Sequence, residues 1–420
     1  MSTYLRRMVD MSPAGVLLND PNRDYRLHHN RDYFQATQTK WVRLWAPWFS
    51  FQSSSSEAPG TGANSAAAPQ LSALDQQIAA ANTDGVNVML VSWGVPQWAS
   101  GTAGIALNSE ADFNYGTLNN GTKVDSRAKG LGPWDRMSKS QWDNWHNNGV
   151  PPTSFKSLLY KLPTDLSVNG SWGRWINWLY DRYRGNNPYG ARITALEILN
   201  EPNGFNLWPQ QSPVGSKVID KNFAQTAPDQ RPIAQMMKTA DTIAASYGRA
   251  LTLVGPATAD TPSSSRLITP FDAFTQNVLG ALDGLGFHGN ESCAWSQHSY
   301  WDIEVPLTTG ARSITTAALL KGRWSGLADA AGPLVFLTEG GYRFPLYHTD
   351  TTAQDQHTHD AWNRVYADAS GVGMFTNYGM YTDPQPNGDC GLRDNLPGCV
   401  DVCGDARPVY NTWAALPSFA

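Results

Sequence analysis

Two glutamates carry the strongest chemical signal in the sequence. One lies in ALEILNEPNG (195–204), the other in GPLVFLTEGGYR (332–343). Read as strands of period two, Glu197, Leu199 and Glu201 share one face, and so do Val335, Leu337 and Glu339. Pro202 ends the first ladder and Gly340-Gly341 the second, so Glu201 and Glu339 are each expected at the C-terminal rim of a strand. A carboxyl enclosed by apolar side chains has a raised pKa, which suits Glu201 to proton donation near neutral pH. Glu339, kept ionised by cationic or hydrogen-bonding neighbours, could attack an electron-poor carbon. An acid and a nucleophile facing each other are what glycosidic bond cleavage requires, and a separation of about 5–5.5 Å makes the outcome retaining. Glu197, deeper in its strand, reads as a buried carboxylate satisfied by Arg or by backbone donors.

Groups able to hold the nucleophile ionised are visible nearby in the pattern. Arg43 in WVRLW points the same way as Trp41 and Trp45, and WSQHSYW (295–301) places His298 and Tyr300 on one strand face. A guanidinium and a phenol can both donate to a carboxylate. His357 and His359 fall two apart within a predicted helix, on different faces, and make a poor ligand pair.

These residues need a scaffold that brings strand ends together. Strand candidates are Ala14–Leu18, Trp41–Ala46, Val86–Trp93, Ile193–Asn200, Leu251–Val254, Ser296–Tyr300, Leu334–Thr338 and Gly373–Tyr378. Most are short apolar runs bounded by Gly, Pro or Asn, as expected of strands buried on both faces. Amphipathic stretches alternate with them, for example Ile233, Met236, Met237, Ala240, Ile243 and Ala244 at helical spacing. Strands and helices in this alternation predict an α/β fold, a (β/α)₈ TIM barrel whose active site lies at the C-terminal face. A doubly wound sheet would show a G-x-G-x-x-G turn, which the sequence lacks. Residues 1–420 are therefore expected to form a single catalytic domain, with a flexible insertion at 53–69, a long rim loop at 101–170 and a Cys-containing loop at 385–405.

The 420 residues hold 31 Lys and Arg against 36 Asp and Glu, a formal net charge of −5. With 16% charged residues and no basic run, neither nucleic acid nor an anionic membrane surface is an expected partner. Three of the four Cys, namely Cys390, Cys399 and Cys403, cluster without a nearby His, so a local disulfide is expected rather than zinc. One or two thiols would be left over, and one could bridge Cys293. The N-terminal segment lacks the apolar h-region of a signal peptide. That leaves a cytoplasmic chain or a trimmed mature one, and a disulfide favours the latter. The 17 Trp suit a ligand with apolar C–H faces, because sugars stack on aromatic rings. Trp45, Trp48, Trp93, Trp98, Trp134, Trp142, Trp145, Trp208, Trp295 and Trp301 fall at or beyond predicted strand ends or in the long third loop. Trp172, Trp175 and Trp178 share one helix and read as structural.

Taken together, these residues resemble clan A glycoside hydrolases, the retaining (β/α)₈ enzymes with catalytic glutamates ending strands four and seven. LEILNEPNG is similar to their Asn-Glu-Pro motif, which implies Glu201 as acid/base and Asn200 as the amide that binds the sugar 2-hydroxyl. TEGGYR resembles the nucleophile strand and implies Glu339. RLW resembles the second-strand Arg motif, and QHSYW the His-x-Tyr of strand six, implying Arg43, His298 and Tyr300 as substrate-binding residues. Within the clan, LEILNEP and the P-x-W of VPQWAS resemble family 5, and NEPN resembles family 39 second. Two positions depart from the pattern: Trp93 stands where many members place His, and Asn377 and Tyr378 stand in place of the usual Trp. With Trp45, Trp93 and Tyr378 would line the site that holds the cleaved sugar.

The resemblance implies a retaining β-glycosidase that hydrolyses a neutral β-linked glycoside or oligosaccharide by double displacement, with no metal and no organic cofactor. Two long rim loops favour exo action. The alternatives are an endo-β-glycanase acting on glucan, mannan or xylan and, more distantly, a non-catalytic carbohydrate-binding barrel. The motifs leave the oligomeric state open.

Overall fold

Short apolar segments flanked by breakers form parallel strands, each covered by helices on its outer side. The computed structural model describes residues 5–11, 16, 23–61, 66–96, 98–100, 115–117, 123–125, 162–203, 230–260, 270–287, 293–305, 312–323, 335–343, 351–367, 371–379, 392 and 406–416. The barrel strands are β1 (Arg6–Asp10), β2 (Trp41–Pro47), β3 (Asn87–Trp93), β4 (Ala195–Glu197), β5 (Thr252–Val254), β6 (Cys293–His298), β7 (Val335–Glu339) and β8 (Val372–Tyr378). Each pairs in parallel with its neighbours, and β8 pairs with β1 to close the ring. The chain is a (β/α)₈ TIM barrel.

Among the described residues the helices are α1 (His28–Ala36), α2 (Trp48–Phe51), α3 (Ala67–Thr83), α4 (Ser171–Arg182), α5 (Arg231–Ser246), α6 (Phe271–Gly284), α7 (Tyr300–Glu304), α8 (Arg312–Arg323), α9 (Thr351–Ala367) and α10 (Pro408–Ala415). The helical spacing of Ile233, Met236, Met237, Ala240, Ile243 and Ala244 is the buried stripe of α5. None of the described helices is long and apolar enough to cross a membrane.

The barrel interior is filled in layers, as period-two strands require. Every strand gives one residue to an apolar floor: Met8, Trp41, Met89, Ala195, Val254, Ala294, Phe336 and Met374. A separate, larger core lies between the strands and the helices. Trp48, Trp172, Trp175 and Trp295 belong to that outer core and are fully buried, so Trp48, although it follows the end of β2 as expected, and Trp295 pack away from the barrel mouth. Trp48 stacks on Trp175 with ring centroids 5.3 Å apart, which ties α2 to α4.

The first strand is displaced from its expected place. The ring closes on Arg6–Asp10, whereas Ala14–Leu18 was expected and only its Val16 is among the described residues. RRMVD does not look like a doubly buried strand because it carries two arginines. Arg7 nonetheless is buried, donating to the Trp413 carbonyl and lying over that residue's ring, while Arg6 lies over Trp41.

Residues 53–61 form turns and α3 begins at Ala67, so part of the 53–69 insertion is helical. Of 101–170, only 115–117 and 123–125, which pair as an antiparallel hairpin, and 162–170 are described. Trp134, Trp142, Trp145, Trp208, Cys390, Cys399 and Cys403 lie outside the described residues. Cys293 is a free thiol on β6, so the bridge considered for it is not formed, and burial pushes its pKa up.

Candidate active site

Two residues above the apolar floor, the same strands turn polar. Met8, Trp41, Ala195, Ala294 and Phe336 are followed at i+2 by Asp10, Arg43, Glu197, Ser296 and Thr338. Arg43 is wholly buried at the centre of this layer. Its Nη1 donates to Asp10 and to Oε2 of Glu339 (3.1 Å), and its Nη2 to Glu197 and to Oδ1 of Asn200 (2.7 Å). Ser296 Oγ donates to Oε2 of Glu197 at 3.0 Å and shares a further hydrogen bond with Thr338. Glu197 is thus a buried partner of Arg43, as its depth in the strand suggested.

Glu339 reaches the barrel mouth by a break in alternation. Val335 and Leu337 pack into the outer core, whereas Phe336 belongs to the floor and Thr338 bonds to Ser296. Strict period two would therefore turn Glu339 outward, contrary to the shared face expected for Val335, Leu337 and Glu339. The β6–β7 register shifts between Gln297 and His298, and His298 pairs with Glu339. Such irregularities re-aim side chains beside active sites.

Glu201 is placed in a similar way. β4 ends at Glu197 and Leu199 joins the outer core, so the face expected for Glu197, Leu199 and Glu201 does not persist. Glu201 takes a φ of 47°, a left-handed conformation that costs a residue with a side chain about 1–2 kcal/mol. Its amide donates to the Ala257 carbonyl at 2.8 Å, which pins the strained backbone over β5. Strain of this kind, held in place by its surroundings, concentrates at functional sites.

Above the polar layer the two glutamates converge on His298. His298 Nδ1 lies 2.8 Å from Oε1 of Glu201, and its Nε2 lies 3.4 Å from Oε2 of Glu339. One ligand-type atom from each of these three residues lies within 4.8 Å of the other two, which sets an upper limit on the gap between the nearest carboxylate oxygens. The Glu201 side chain is 26% exposed and that of Glu339 11%, so Glu339 is the more enclosed of the two and Glu201 opens to solvent. Tyr300 donates its hydroxyl to Oε1 of Glu339 at 2.7 Å. It does so from the first residue of α7, because β6 ends at His298, two residues short of the expected boundary.

Charges in this cluster oppose one another. Among the described residues, Asp10, Glu197, Glu201 and Glu339 share Arg43 and His298 as buried cations, with the half-buried Arg343 acting on Glu201 from further off. Burial disfavours the charge on His298, but the Glu339 and Glu201 carboxylates outweigh it and push the imidazole up to about 9. A ring that carries both protons donates hydrogen bonds and has no lone pair for a metal. Burial pushes Glu339 up to about 7, with His298 and Arg43 opposing and the Glu201 and Asp10 charges adding to it. Burial raises Glu201 too, but the hydrogen bond and charge of His298 prevail and hold it below its usual value. This order reverses the sequence expectation of a raised Glu201 and a depressed Glu339. The cause is His298, whose short contact goes to Glu201. Interacting carboxyls titrate as a pair, so the protons belong to the cluster.

The remaining expected residues surround these groups. Trp45 donates Nε1 to Oδ1 of Asp10 at 3.0 Å, and its ring lies 4.5 Å from the Arg43 guanidinium carbon. Trp93 ends β3, half-buried and edge-on to Trp45 at 5.6 Å. Tyr378 ends β8 and meets Tyr300 edge-on at 6.4 Å. Asn377 instead donates Nδ2 to the Gly379 carbonyl at 2.7 Å, closing the strand end. Sequence reasoning missed Asp10, and its signal was weak: a lone acid ending RRMVD. It also missed Arg343, which lies 5.0 Å over the Tyr300 ring and is paired with Glu304.

No protein-family model matches the chain, and no curated protein matches it in sequence. Solved structures do resemble its fold. A GH5_18 structure from Bifidobacterium longum subsp. infantis superposes with a TM-score of 0.54 at 14% identity, covering 99% of this chain and 78% of that one. A glucosidase from Croceicoccus marinus gives 0.52 at 11% identity over 99% of this chain and 67% of that one. A GH5_18 structure from Streptomyces cattleya in complex with GlcNAc gives 0.51 at 16% identity over 99% and 80%. Family 39 gains no support from them. At these identities the likeness shows a shared (β/α)₈ barrel, spanning nearly the whole of this chain.

Proposed function

We propose that the chain is a retaining β-glycosidase that hydrolyses a neutral β-linked glycoside or oligosaccharide. The observation that carries this is the approach of Glu201 and Glu339, with carboxylate oxygens no more than 4.8 Å apart. Retaining enzymes hold the two carboxyls about 5–5.5 Å apart, and inverting ones about 6.5–9.5 Å to admit a water. Glu339, held by Arg43, Tyr300 and His298, attacks the anomeric carbon. Glu201 protonates the departing oxygen and then removes a proton from the water that releases the sugar. Asn200, oriented by Arg43, is placed to meet the 2-hydroxyl, while Trp45, Trp93 and Tyr378 offer aromatic surface to the ring. The residues required for this reaction are all side chains of the barrel.

Exo action is the finer reading, supported by the length of the segments that follow β2 and β3. The names of the structural neighbours, a glucosidase and a complex with GlcNAc, put pyranosides first in a screen. That screen uses aryl β-glycosides together with β-glucan, mannan and xylan oligosaccharides. Turnover by the wild type and its loss in Glu339→Ala are expected. Turnover that survives Glu339→Ala unaltered overturns the mechanism, and binding without cleavage by the wild type favours the non-catalytic barrel. Cleavage inside long oligosaccharides favours the endo-glycanase.

A further inference from the structure

Asp10 closes β1 and is wholly buried. One of its oxygens accepts Arg43 Nη1, and the other accepts Trp45 Nε1 at 3.0 Å. The same Arg43 nitrogen reaches Glu339 at 3.1 Å. The backbone around Asp10 is fixed on both sides, because Gly379 donates to the Asp10 carbonyl and Met11 donates to the Arg43 carbonyl, each at 3.1 Å. Arg43 already has Glu197 and Glu339 as partners, so its charge does not require a third carboxylate. Burying one more acid is costly unless its geometry is used. What Asp10 alone provides is a rigid bridge between the guanidinium and the indole.

We propose, on the glycosidase reading above, that Asp10 is a positioning residue that fixes the Arg43 guanidinium and the Trp45 indole relative to each other and to Glu339. The bridge needs two acceptors on one side chain. Asn offers one acceptor and a donor pair, so Asp10→Asn must give up either Arg43 or Trp45. The variant also removes a negative charge from the neighbourhood of Glu339. The other charged or titratable groups facing Glu339 are Arg43 from β2, His298 from β6, Tyr300 from α7 and Glu201 beyond β4. Since the Asp10 charge helps to hold Glu339 up, its removal makes the site release protons more readily.

The test is the pH dependence of kcat/KM for the full chain, Asp10→Asn and Trp45→Phe on an aryl β-glycoside that the wild type cleaves. Misplaced catalytic groups cost about 10–100-fold, and that fall is expected for Asp10→Asn. Its alkaline limb is also expected to move to lower pH. Trp45→Phe keeps an aromatic ring, smaller than the indole, but not the N–H; it should raise KM several-fold and leave the limb in place. A folded Asp10→Asn that matches the wild type, or that falls with its pH limb unmoved, overturns the inference alone. If Asp10→Asn does not fold, an unchanged KM in Trp45→Phe overturns it. A wild type without turnover overturns the glycosidase reading and this inference together.

Discussion

The Tyr300 hydroxyl donates to Oε1 of Glu339 at 2.7 Å, while Arg43 donates to the other oxygen of the same carboxylate at 3.1 Å. Both lone-pair edges of the carboxylate are therefore held, and its rotation is fixed. Tyr300→Phe removes one donor and leaves the ring. A hydrogen bond to a charged group is worth about 1.5–3 kcal/mol, so kcat/KM should fall roughly 10–100-fold. The ring still packs beneath Arg343, so the melting temperature should change little. Steady-state kinetics beside a thermal melt check this, and a variant with wild-type kcat/KM removes Tyr300 from the site.

The pH profile should be bell-shaped, because the working form carries one proton on the two glutamates. Glu339 is pushed up to about 7 by burial, so the pair loses that proton as the pH rises through about 7. kcat/KM should decline above it. On the acid side, Glu201 lies below its usual value, so double protonation extinguishes activity only in fairly acidic solution. His298, pushed up to about 9, stays charged across this window and contributes neither limb. Initial rates at substrate concentrations far below KM give the profile, and activity still rising beyond pH 9 contradicts the assignment.

Glu339 should also make the fold less stable as the pH rises. Burial raises its pKa from the ordinary carboxyl value of 4.5 to about 7. The native state therefore binds the proton more tightly than the unfolded chain. By linkage, the contribution of Glu339 to stability is full below about 4.5 and is lost as the pH climbs through 7. Glu339→Gln has no such charge, and Arg43 keeps Asp10 and Glu197 as partners. The variant should nearly match the wild type near pH 4.5 and exceed it by roughly 3 kcal/mol near pH 8, at about 1.36 kcal/mol per unit over the shift from 4.5 to about 7. Denaturant unfolding at the two pH values checks this, and an equal difference at both excludes the explanation.

Much of the scaffold was legible because buried parallel strands are apolar and short. Trp41–Pro47 and Val372–Tyr378 stand out from their surroundings in that way. β1 was not legible, because its two arginines find partners only in the folded barrel. The glutamates were legible from type and position, but the reason given for their direction failed for both. Period two would have turned Glu339 outward, and it lapses at Leu199, which lies in the outer core and not on the face of Glu197; a register break and a left-handed φ aim the two acids instead. Tyr300 arrives from a helix, which no strand pattern could show. The order of the carboxyl pKa values depends on which glutamate His298 approaches more closely, and that is a tertiary fact.

Removing the proposed acid should separate the two halves of the reaction. Glu201 is the more exposed glutamate, and its side chain reaches His298 without touching Arg43 directly in the way Glu339 does. Glu201→Ala therefore leaves the Arg43–Glu339 pair and the Tyr300 hydrogen bond in place. General acid catalysis contributes about 10²–10⁴-fold, so an alkyl β-glycoside with a poor leaving group should slow by that much. A dinitrophenyl glycoside departs without a proton, so its first step should be nearly unaffected and the covalent intermediate should accumulate. Azide needs no general base and should enter the space vacated by the Glu201 carboxyl. The expected product is a glycosyl azide of retained β configuration, identified from its anomeric proton coupling. An α-azide would mean direct displacement on the opposite face and would rule out Glu339 as the nucleophile. An absence of rescue, with both substrates slowed equally, would assign Glu201 a structural role and leave the proton donor to be sought elsewhere at the barrel mouth.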